Sequence, residues 1–487
     1  MTQVTTLASD YAAAPVGIVH IGLGAFHRAH QAVFVERNLA RHGGGEWGIA
    51  SANIRSNQRL VDLLRDRNQR YHVAEYTDSR TLTVREIGAI REALYAGGHG
   101  ADRETLLARM SDPKVRIVTL TVTEKGYYLS PAEGTLMVGD PAIAHDIAQP
   151  HAPRTAPGLL VEALARRQAA GVAPFTVLCC DNMPDNGNRT RQAVVELARE
   201  RDPALADWIA ESVAFPCSMV DRIVPAMTEA DFARLRELGV DDPAAVICEA
   251  FAQWVVEDDF PQGRPDWEHE GVEMVADVAP FETMKLRMLN GSHSLLAYLG
   301  ALDGVETVFD AVSRTDFSAL LRHYMRQEAA ATLAMPEGTD LKAYADSLLA
   351  RFGNDSLRHR LHQIAMDGSQ KIPQRWLQGA QIRLEADGDI ACTALGVAAW
   401  IRYTAGSDLH GHRHAVDDPL AGTFAALHDR HGDSQESLVG AFLAEEAVFP
   451  PALASDARFS QAVLAAYRSL QAQGVTATLA ALNDGQD

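Results

Sequence analysis

At 487 residues the chain is too long for one small core and calls for two or three domains, and its 47% hydrophobic, 22% charged composition is that of an ordinary soluble globular protein. A formal net charge of −20 argues against a non-specific grip on nucleic acid, and no apolar run approaches the length of a membrane span. An acidic chain that handles an anion must therefore build a local basic pocket for it. The five cysteines, Cys179, Cys180, Cys217, Cys248 and Cys392, form no C-x-x-C pair. Their odd count fits reduced thiols and a cytoplasmic setting better than disulfides or a structural zinc site. No basic segment followed by an apolar core opens the chain, so no signal peptide is expected.

The first predicted element is a strand over 16–21, running into Gly22-Leu23-Gly24-Ala25-Phe26-His27 and then a helix over 31–40. Strand, glycine turn and helix is the setting in which Gly-x-Gly lets a pyrophosphate approach the backbone and a helix N-terminus. The third glycine of the dinucleotide fingerprint is replaced by His27. A second strand, 47–52, leads into Asn53-Ile54-Arg55-Ser56-Asn57-Gln58, which lacks the carboxylate that commonly binds a ribose hydroxyl. Strands over 115–122 and 175–180 end in Thr123-Glu124-Lys125-Gly126-Tyr127 and Asp181-Asn182-Met183-Pro184-Asp185-Asn186-Gly187. Helices over 159–170 and 190–201 alternate with them, which predicts a parallel α/β sheet. A further pair of strands is expected around 245–256 and 271–278.

After Pro280 long amphipathic patterns take over, over 318–333, 341–351 and 459–473. The expected division is 1–279, a parallel α/β domain with a dinucleotide-type glycine turn, and 280–487, a mostly α-helical domain. At its head stands Met284-Lys285-Leu286-Arg287-Met288-Leu289-Asn290-Gly291-Ser292-His293, with an amine, a carboxamide and an imidazole. At about 100° per residue an α-helix would put His293 about 80° and Asn290 about 140° round from Lys285. A partly desolvated lysine exchanges protons near neutral pH, and an asparagine can donate to an oxygen that becomes negative. Residues 367–375, with Lys371 and Arg375, read as a polar turn able to hold an anionic or polyhydroxy substrate. His410, His412 and His414 alternate, but their Gly, Asp and Arg surroundings read as a solvated loop rather than a metal site.

Five segments carry a resemblance that runs nearly end to end: GIVHIGLGAFHRAHQAVF (17–34), TLTVTEKGYY (119–128), CDNMPDNG (180–187), FPCSMVDRIVPA (215–226) and FETMKLRMLNGSH (281–293). The last holds Lys-x4-Asn-x2-His. The chain resembles the polyol-specific long-chain dehydrogenase/reductase family. Residues MPEGTDL (335–341), LRHR (357–360) and MDGSQKIPQRW (366–376) are similar to its fructuronate reductase branch. Gln363 stands where the mannitol-specific branch has an arginine.

The resemblance implies an α/β Rossmann-type domain followed by a mostly helical one, NAD as cofactor with NADP not excluded, and no metal. It implies Lys285 as general acid/base, Asn182 and Asn290 as oxyanion donors, His293 as a substrate-positioning residue and Glu282 on a proton route to Lys285. Asp221 and Lys371 would contact substrate hydroxyls, with Lys371, Arg222 and Arg375 as candidates for a substrate carboxylate. Gly22, Gly24 and Phe26 would lie along the cofactor pyrophosphate, with Thr123 and Lys125 nearby. The expected reaction is reversible reduction of D-fructuronate to D-mannonate, by a monomer or weak homo-oligomer with no nucleic-acid or membrane partner. Tagaturonate, or a neutral polyol such as mannitol or arabinitol, are the alternative substrates. The non-enzyme alternative is a nucleotide sensor on a dehydrogenase scaffold.

Overall fold

Apolar runs without a polar face need cover on both sides, and the strands of the first half are of this kind. A computed structural model describes residues 2–98, 102–130, 133–356 and 358–484. The chain divides into two compact units, Met1–Ala279 and Pro280–Asp487. The strands of the first are β1 (Gln3–Leu7), β2 (Val16–Ile21), β3 (Gly48–Asn53), β4 (Tyr71–Asp78), β5 (Thr81–Ile87), β6 (Ile90–Tyr95), β7 (Ile117–Leu120), β8 (Thr176–Cys179), β9 (Ser218–Asp221), β10 (Val246–Glu249), β11 (Gln253–Glu257) and β12 (Glu273–Val275).

A five-stranded sheet has the order β6-β3-β2-β7-β8, with every neighbouring pair parallel. The order reverses between β2 and β7, and in such sheets ligands bind outside the carboxyl ends of the strands at that point. Successive residues serve opposite faces. Val19, Val118 and Val177 join a core that includes Leu160 and Ala193, from helices Ala156–Ala169 and Asn186–Arg201. Ile18, Ile117 and Leu178 join the other, with Val33 and Val61 from helices Gln31–His42 and Gln58–Asp66.

Two smaller sheets depart from the expected all-parallel arrangement. One is β1-β5-β4-β10, in which β4 and β5 are antiparallel; the other is β12-β11-β9, in which β11 and β9 are antiparallel. The expected strand 245–256 is two, β10 and β11, in different sheets, because the chain leaves β4 after Ala250 N bonds to Tyr76 O and pairs next with β9. Arg222 ties this region together from inside. It is buried, pairs with Glu75 at 2.7 Å, and donates to Glu249 O at 3.0 Å and to Ala29 O. Burial alone would raise the Glu75 carboxyl, but Arg222, Arg85 and Arg37 outweigh it and hold it below its ordinary value. Arg222 is thus a structural cation, and its donors are spent on the fold rather than left for a substrate.

Among the described residues the second unit has no strand beyond isolated bridges. Its axis is the helix Gly291–Leu302, every residue of which is buried, packed against helices Leu361–Ala365 and Ala391–Tyr403. Gly300 permits the first contact, since a Cβ there would stand 2.4 Å from Leu361 Cδ1. The expected helix 318–333 is an α-helix only to His323 and then becomes a π-helix, Tyr324–Ala329. The expected turn at 367–375 is also helical, as Gly368–Ile372 followed by a π-helix, Pro373–Leu377. Its cap comes from far away in sequence: Asp418 accepts from Ser369 N at 2.8 Å and Ser369 Oγ at 2.6 Å. Leu357 of the Leu-Arg-His-Arg segment lies outside the described residues.

The loop after β8 is held by Asn186, which is fully buried. Its Nδ2 donates to Asp181 O at 3.1 Å and Ser218 O at 2.7 Å, and its Oδ1 accepts from Ser218 N at 2.9 Å. Asn186→Ala takes the partner from Ser218 N and Ser218 O, while Asp181 O keeps Met183 N, and should cost roughly 2 kcal/mol or more. In urea denaturation the midpoint should fall with an unchanged slope; an unmoved midpoint would refute this account of the loop.

Candidate active site

The glycine turn after β2 is set by sterics. Gly22 takes φ +116°, and a Cβ there would stand 2.1 Å from Thr121 O. Gly24 has the opposite character, with nothing nearer a Cβ than Gly22 O at 3.7 Å, so its backbone stays open to close approach. Beneath the turn lies His20, whose Nε2 donates to Gly22 O at 3.0 Å and whose Nδ1 is 2.8 Å from Thr119 Oγ1. Burial pushes His20 down to about 3, so it is a neutral strut. His27, at the third glycine position, stacks on the His20 ring at 3.4 Å. The helix that follows is not one piece: a short turn, Ala25–Ala29, carries the half-buried Phe26, and the chain restarts at Gln31. A pinned glycine, an open glycine and the strand-order reversal suit a dinucleotide pyrophosphate.

The loops after β7 and β8 are bound to each other by a residue not singled out from the sequence. The buried carboxylate of Asp181 accepts from Val122 N at 3.0 Å, Thr123 N at 2.9 Å and Tyr127 Oη at 2.6 Å. Thr123 sits at φ +66°, and Lys125 is exposed. Next to Asp181 stands Asn182, an exposed side chain. Asp221 ends β9 and is buried, opposite Gln253 of β11.

In the second unit Lys285 and Asn290 are the first and last residues of a π-helix, which follows helix Ala279–Met284 and runs into Gly291–Leu302. The Gly291 amide reaches back five residues to Leu286 O. With turns closing at five residues rather than four, Asn290 comes round toward the direction of Lys285, instead of the roughly 140° offset of an α-helix. The wider turn leaves carbonyls that other side chains take up. Tyr324 Oη donates to Arg287 O at 2.8 Å, Arg375 Nη1 to Asn290 O at 3.2 Å, and Trp376 Nε1 to Gly291 O at 3.2 Å. Tyr324 begins one of the other two π-helices, and Arg375 and Trp376 lie within the third. Glu282 precedes Lys285 by almost one turn and is half-buried.

Lys285 is 7% exposed and His293 9%. The His293 ring lies against Phe352 at 4.7 Å and edge-on to His359 at 5.9 Å, and its Nε2 is buried without a partner. Burial, then the charges of His359, Arg375, Arg351 and Lys285, hold its imidazole well below the ordinary value, so it is neutral. Lys371 donates to Met366 O at 2.5 Å and Ile364 O at 3.4 Å. Burial and then Arg375 lower its ammonium, against the pull of Asp367, Asp418 and Asp417. Arg375 also donates from Nη1 to Ser294 Oγ at 2.9 Å.

Metal-ligand types meet once among the described residues, where His323, Glu328 and Cys392 bring atoms within 4.8 Å of one another. Glu328 is a helix cap there. It accepts from Cys392 N at 2.5 Å, Thr393 N at 2.9 Å and Thr393 Oγ1 at 2.8 Å, and burial pushes its carboxyl up to about 7. The alternating histidines have separate partners: His412 Nδ1 lies 2.9 Å from Asp408, and His414 Nε2 donates to Tyr403 O at 3.0 Å.

Two family models account for nearly the whole chain, the mannitol dehydrogenase Rossmann domain over residues 16–269 and the mannitol dehydrogenase C-terminal domain over residues 277–471. The chain belongs to the mannitol dehydrogenase family. Two Escherichia coli relatives are similar to it over most of their length. The D-mannonate oxidoreductase is 47% identical over 96% of this chain and 95% of its own, and the uncharacterized oxidoreductase YdfI is 46% identical over 95% and 94%. Among solved structures, the Pseudomonas fluorescens mannitol 2-dehydrogenase, a ternary complex with NAD and D-mannitol, is 37% identical, with a TM-score of 0.82 over 98% of this chain and 97% of that one. Within this mannitol dehydrogenase fold, no helix among the described residues is long and apolar enough to cross a membrane.

Lys285, Asn290, His293, Lys371 and Arg375, expected from the sequence as site residues, lie near one another in the second unit. Not singled out there were Asp181, Tyr324 and His359, whose roles depend on chain partners distant in sequence. Tyr324 offers a direct test, because a Cβ on Gly291 would stand 2.2 Å from Tyr324 Oη. Gly291→Ala should displace the tyrosine, free Arg287 O and disturb the π turn. Turnover should fall about a hundredfold, as for a misplaced reacting group, with far-ultraviolet circular dichroism unchanged. Wild-type turnover in that variant would show that the π turn does not set the geometry of Lys285.

Proposed function

We propose that this NAD-dependent oxidoreductase interconverts D-fructuronate and D-mannonate. The observation that carries the sugar-acid reading is the gathering of Lys285, Arg351 and Arg375 around His293, and of Lys371 beside His359, in a chain of net charge −20. A neutral polyol does not need such a concentration of cations, whereas a carboxylate does. Lys371 and Arg375 keep donors beyond those spent on backbone and Ser294, so they are the proposed carboxylate partners. Arg222 leaves the set because its guanidinium is bonded inside the first unit. The name of the 47% identical E. coli relative points the same way.

Reduction of a ketone places negative charge on its oxygen. Asn290 is proposed to donate to that oxygen, with Asn182 as the second carboxamide donor; each such donor is worth about 3 kcal/mol in the transition state. Lys285 delivers the proton that makes the alcohol and takes it back in the reverse direction, an effect on the order of a hundredfold or more. The nicotinamide, when bound, supplies or accepts the hydride. Neutral His293 has an unpartnered Nε2 to orient a substrate hydroxyl, and Asp221 accepts from another. Glu282 carries protons between Lys285 and water. Gly22, Gly24, Phe26, Thr123 and Lys125 are assigned to the dinucleotide.

The second reading is a neutral polyol, favoured by the D-mannitol held in the 37% identical structure. Steady-state NADH oxidation with D-fructuronate and D-fructose side by side separates the two. The expected result is kcat/KM at least about a hundredfold higher for fructuronate, the scale of a desolvated charge pair. Lys371→Met should raise KM for fructuronate and leave fructose unaffected; equal rates on the two ketoses would overturn the sugar-acid reading. Lys285→Ala should lower kcat by about a thousandfold while NADH still binds. Undiminished turnover in that variant would remove lysine from the chemistry.

A further inference from the structure

The segment 359–361 is held by its register on a neighbouring turn. Thr307 and Arg360 form an isolated antiparallel bridge, Val308 N donates to His359 O at 3.0 Å, and Leu361 N donates to Glu306 O at 3.0 Å. Successive residues of extended backbone face opposite ways. Arg360 is extended and exposed, while Leu361 on one side is buried and His359 on the other is half-buried. The His359 backbone is therefore fixed, with its ring turned inward.

That ring stands edge-on to the ring of His293, with centroids 5.9 Å apart. Each imidazole has one nitrogen buried without a partner among the described residues, Nε2 of His293 and Nδ1 of His359. A buried polar atom left unpaired is costly, and a leucine at either place would avoid the cost. The two atoms belong to adjoining rings where cations gather: Lys371 acts on His359, and Arg375, Arg351 and Lys285 act on His293. Burial, then Lys371, holds the His359 imidazole below its ordinary value, so at neutral pH it is uncharged. A neutral imidazole donates one N–H without adding another positive charge beside Lys371.

We infer that His359 is a specificity-determining residue, whose Nδ1 donates to the substrate carboxylate that Lys371 also holds. This rests on the sugar-acid reading above and names a further residue for it. A carboxylate offers about four lone-pair sites over two oxygens, so an ammonium and an imidazole can both be served. A neutral ketose carries a hydroxymethyl group at that end, and its bond to the same nitrogen lacks the assistance of charge. His293 Nε2, on the adjoining ring, is left for a hydroxyl.

Dead-end complexes test this without turnover. The full chain, saturated with NAD, is titrated by calorimetry with D-fructuronate and with D-fructose; cofactor and ketose are both oxidised, so no hydride moves. In the wild type fructuronate should bind about a hundredfold more tightly than fructose. His359→Leu should shrink that ratio by about tenfold, the value of one hydrogen bond to a charged group. His359→Asn, which keeps an amide N–H close to the place of Nδ1, should recover most of the ratio. His359→Gln, which carries its amide toward the place of Nε2, should not. The contrast between these two variants decides the matter should the leucine variant fail to fold. Two results would overturn the inference while the sugar-acid reading stands. One is a wild-type preference for fructuronate that His359→Leu leaves intact; the other is a loss of affinity for both ketoses in equal measure. A wild type with no preference would overturn that reading and this inference together, before any variant is made.

Discussion

The geometry of the helical unit depends on a helix kept from closing in its ordinary way. Between Lys285 and Asn290 the backbone takes wider turns, and the carbonyls of Arg287, Asn290 and Gly291 each receive a side-chain donor from elsewhere. An unpaired buried carbonyl is costly, so the wide turn lasts only while those donors are present. Tyr324 Oη also reaches Arg375 O at 3.5 Å, and Arg375 holds Asn290 and Ser294 together. Gly291 completes the arrangement by leaving the space that Tyr324 Oη occupies. The three π-helices among the described residues are therefore joined, since residues of Tyr324–Ala329 and Pro373–Leu377 supply the donors for the Lys285–Asn290 turn and the one after it.

Electrostatics follow the same pattern of local exceptions to a global rule. The chain is strongly acidic, yet His293 is surrounded by positive groups and kept neutral by burial and by those charges. His20 is kept neutral by burial alone, which suits a residue that only supports a turn. Arg222 and Glu75 show a third case, a pair inside the first unit, where removing Glu75 would take from Arg222 its carboxylate at a cost of about 3–5 kcal/mol, while Glu75 keeps Arg37 and Arg85 if Arg222 is removed. Buried polarity thus serves three ends: a turn, the proposed ligand position at His293 and the join between two small sheets.

Much of this was legible in the chain. The strand before Gly22, the alternation of strands and helices, and the helical character after Pro280 follow from runs of apolar residues and their period. The π-helix did not, because Met284 to Leu289 are good α-helix formers and the cause of the wider turn lies near residues 324 and 375. The polar run at 367–375 looked like a loop for the same reason: the aspartate that caps it is 49 residues on. Asn182 and Asn186 stand four apart in one motif, and nothing local says that one is exposed while the other is a buried strut. Arg222 was misread as a ligand cation because a sequence does not show that Glu75, 147 residues earlier, will be its partner.

The interlocked π-helices also bear on how the chain reaches its working state. The donors to the Lys285–Asn290 turn come from Tyr324, 37 residues beyond Arg287, and from Arg375, 85 residues beyond Asn290. Local helix forms fast, and pairing between distant segments forms late. A newly made helical unit would therefore pass through a stage with helix content near its final value but with Lys285 and Asn290 in the wrong register. The alignment of Lys285 with Asn290, proposed above as catalytic, is a property of completed tertiary packing, and helix content during maturation would give no measure of it.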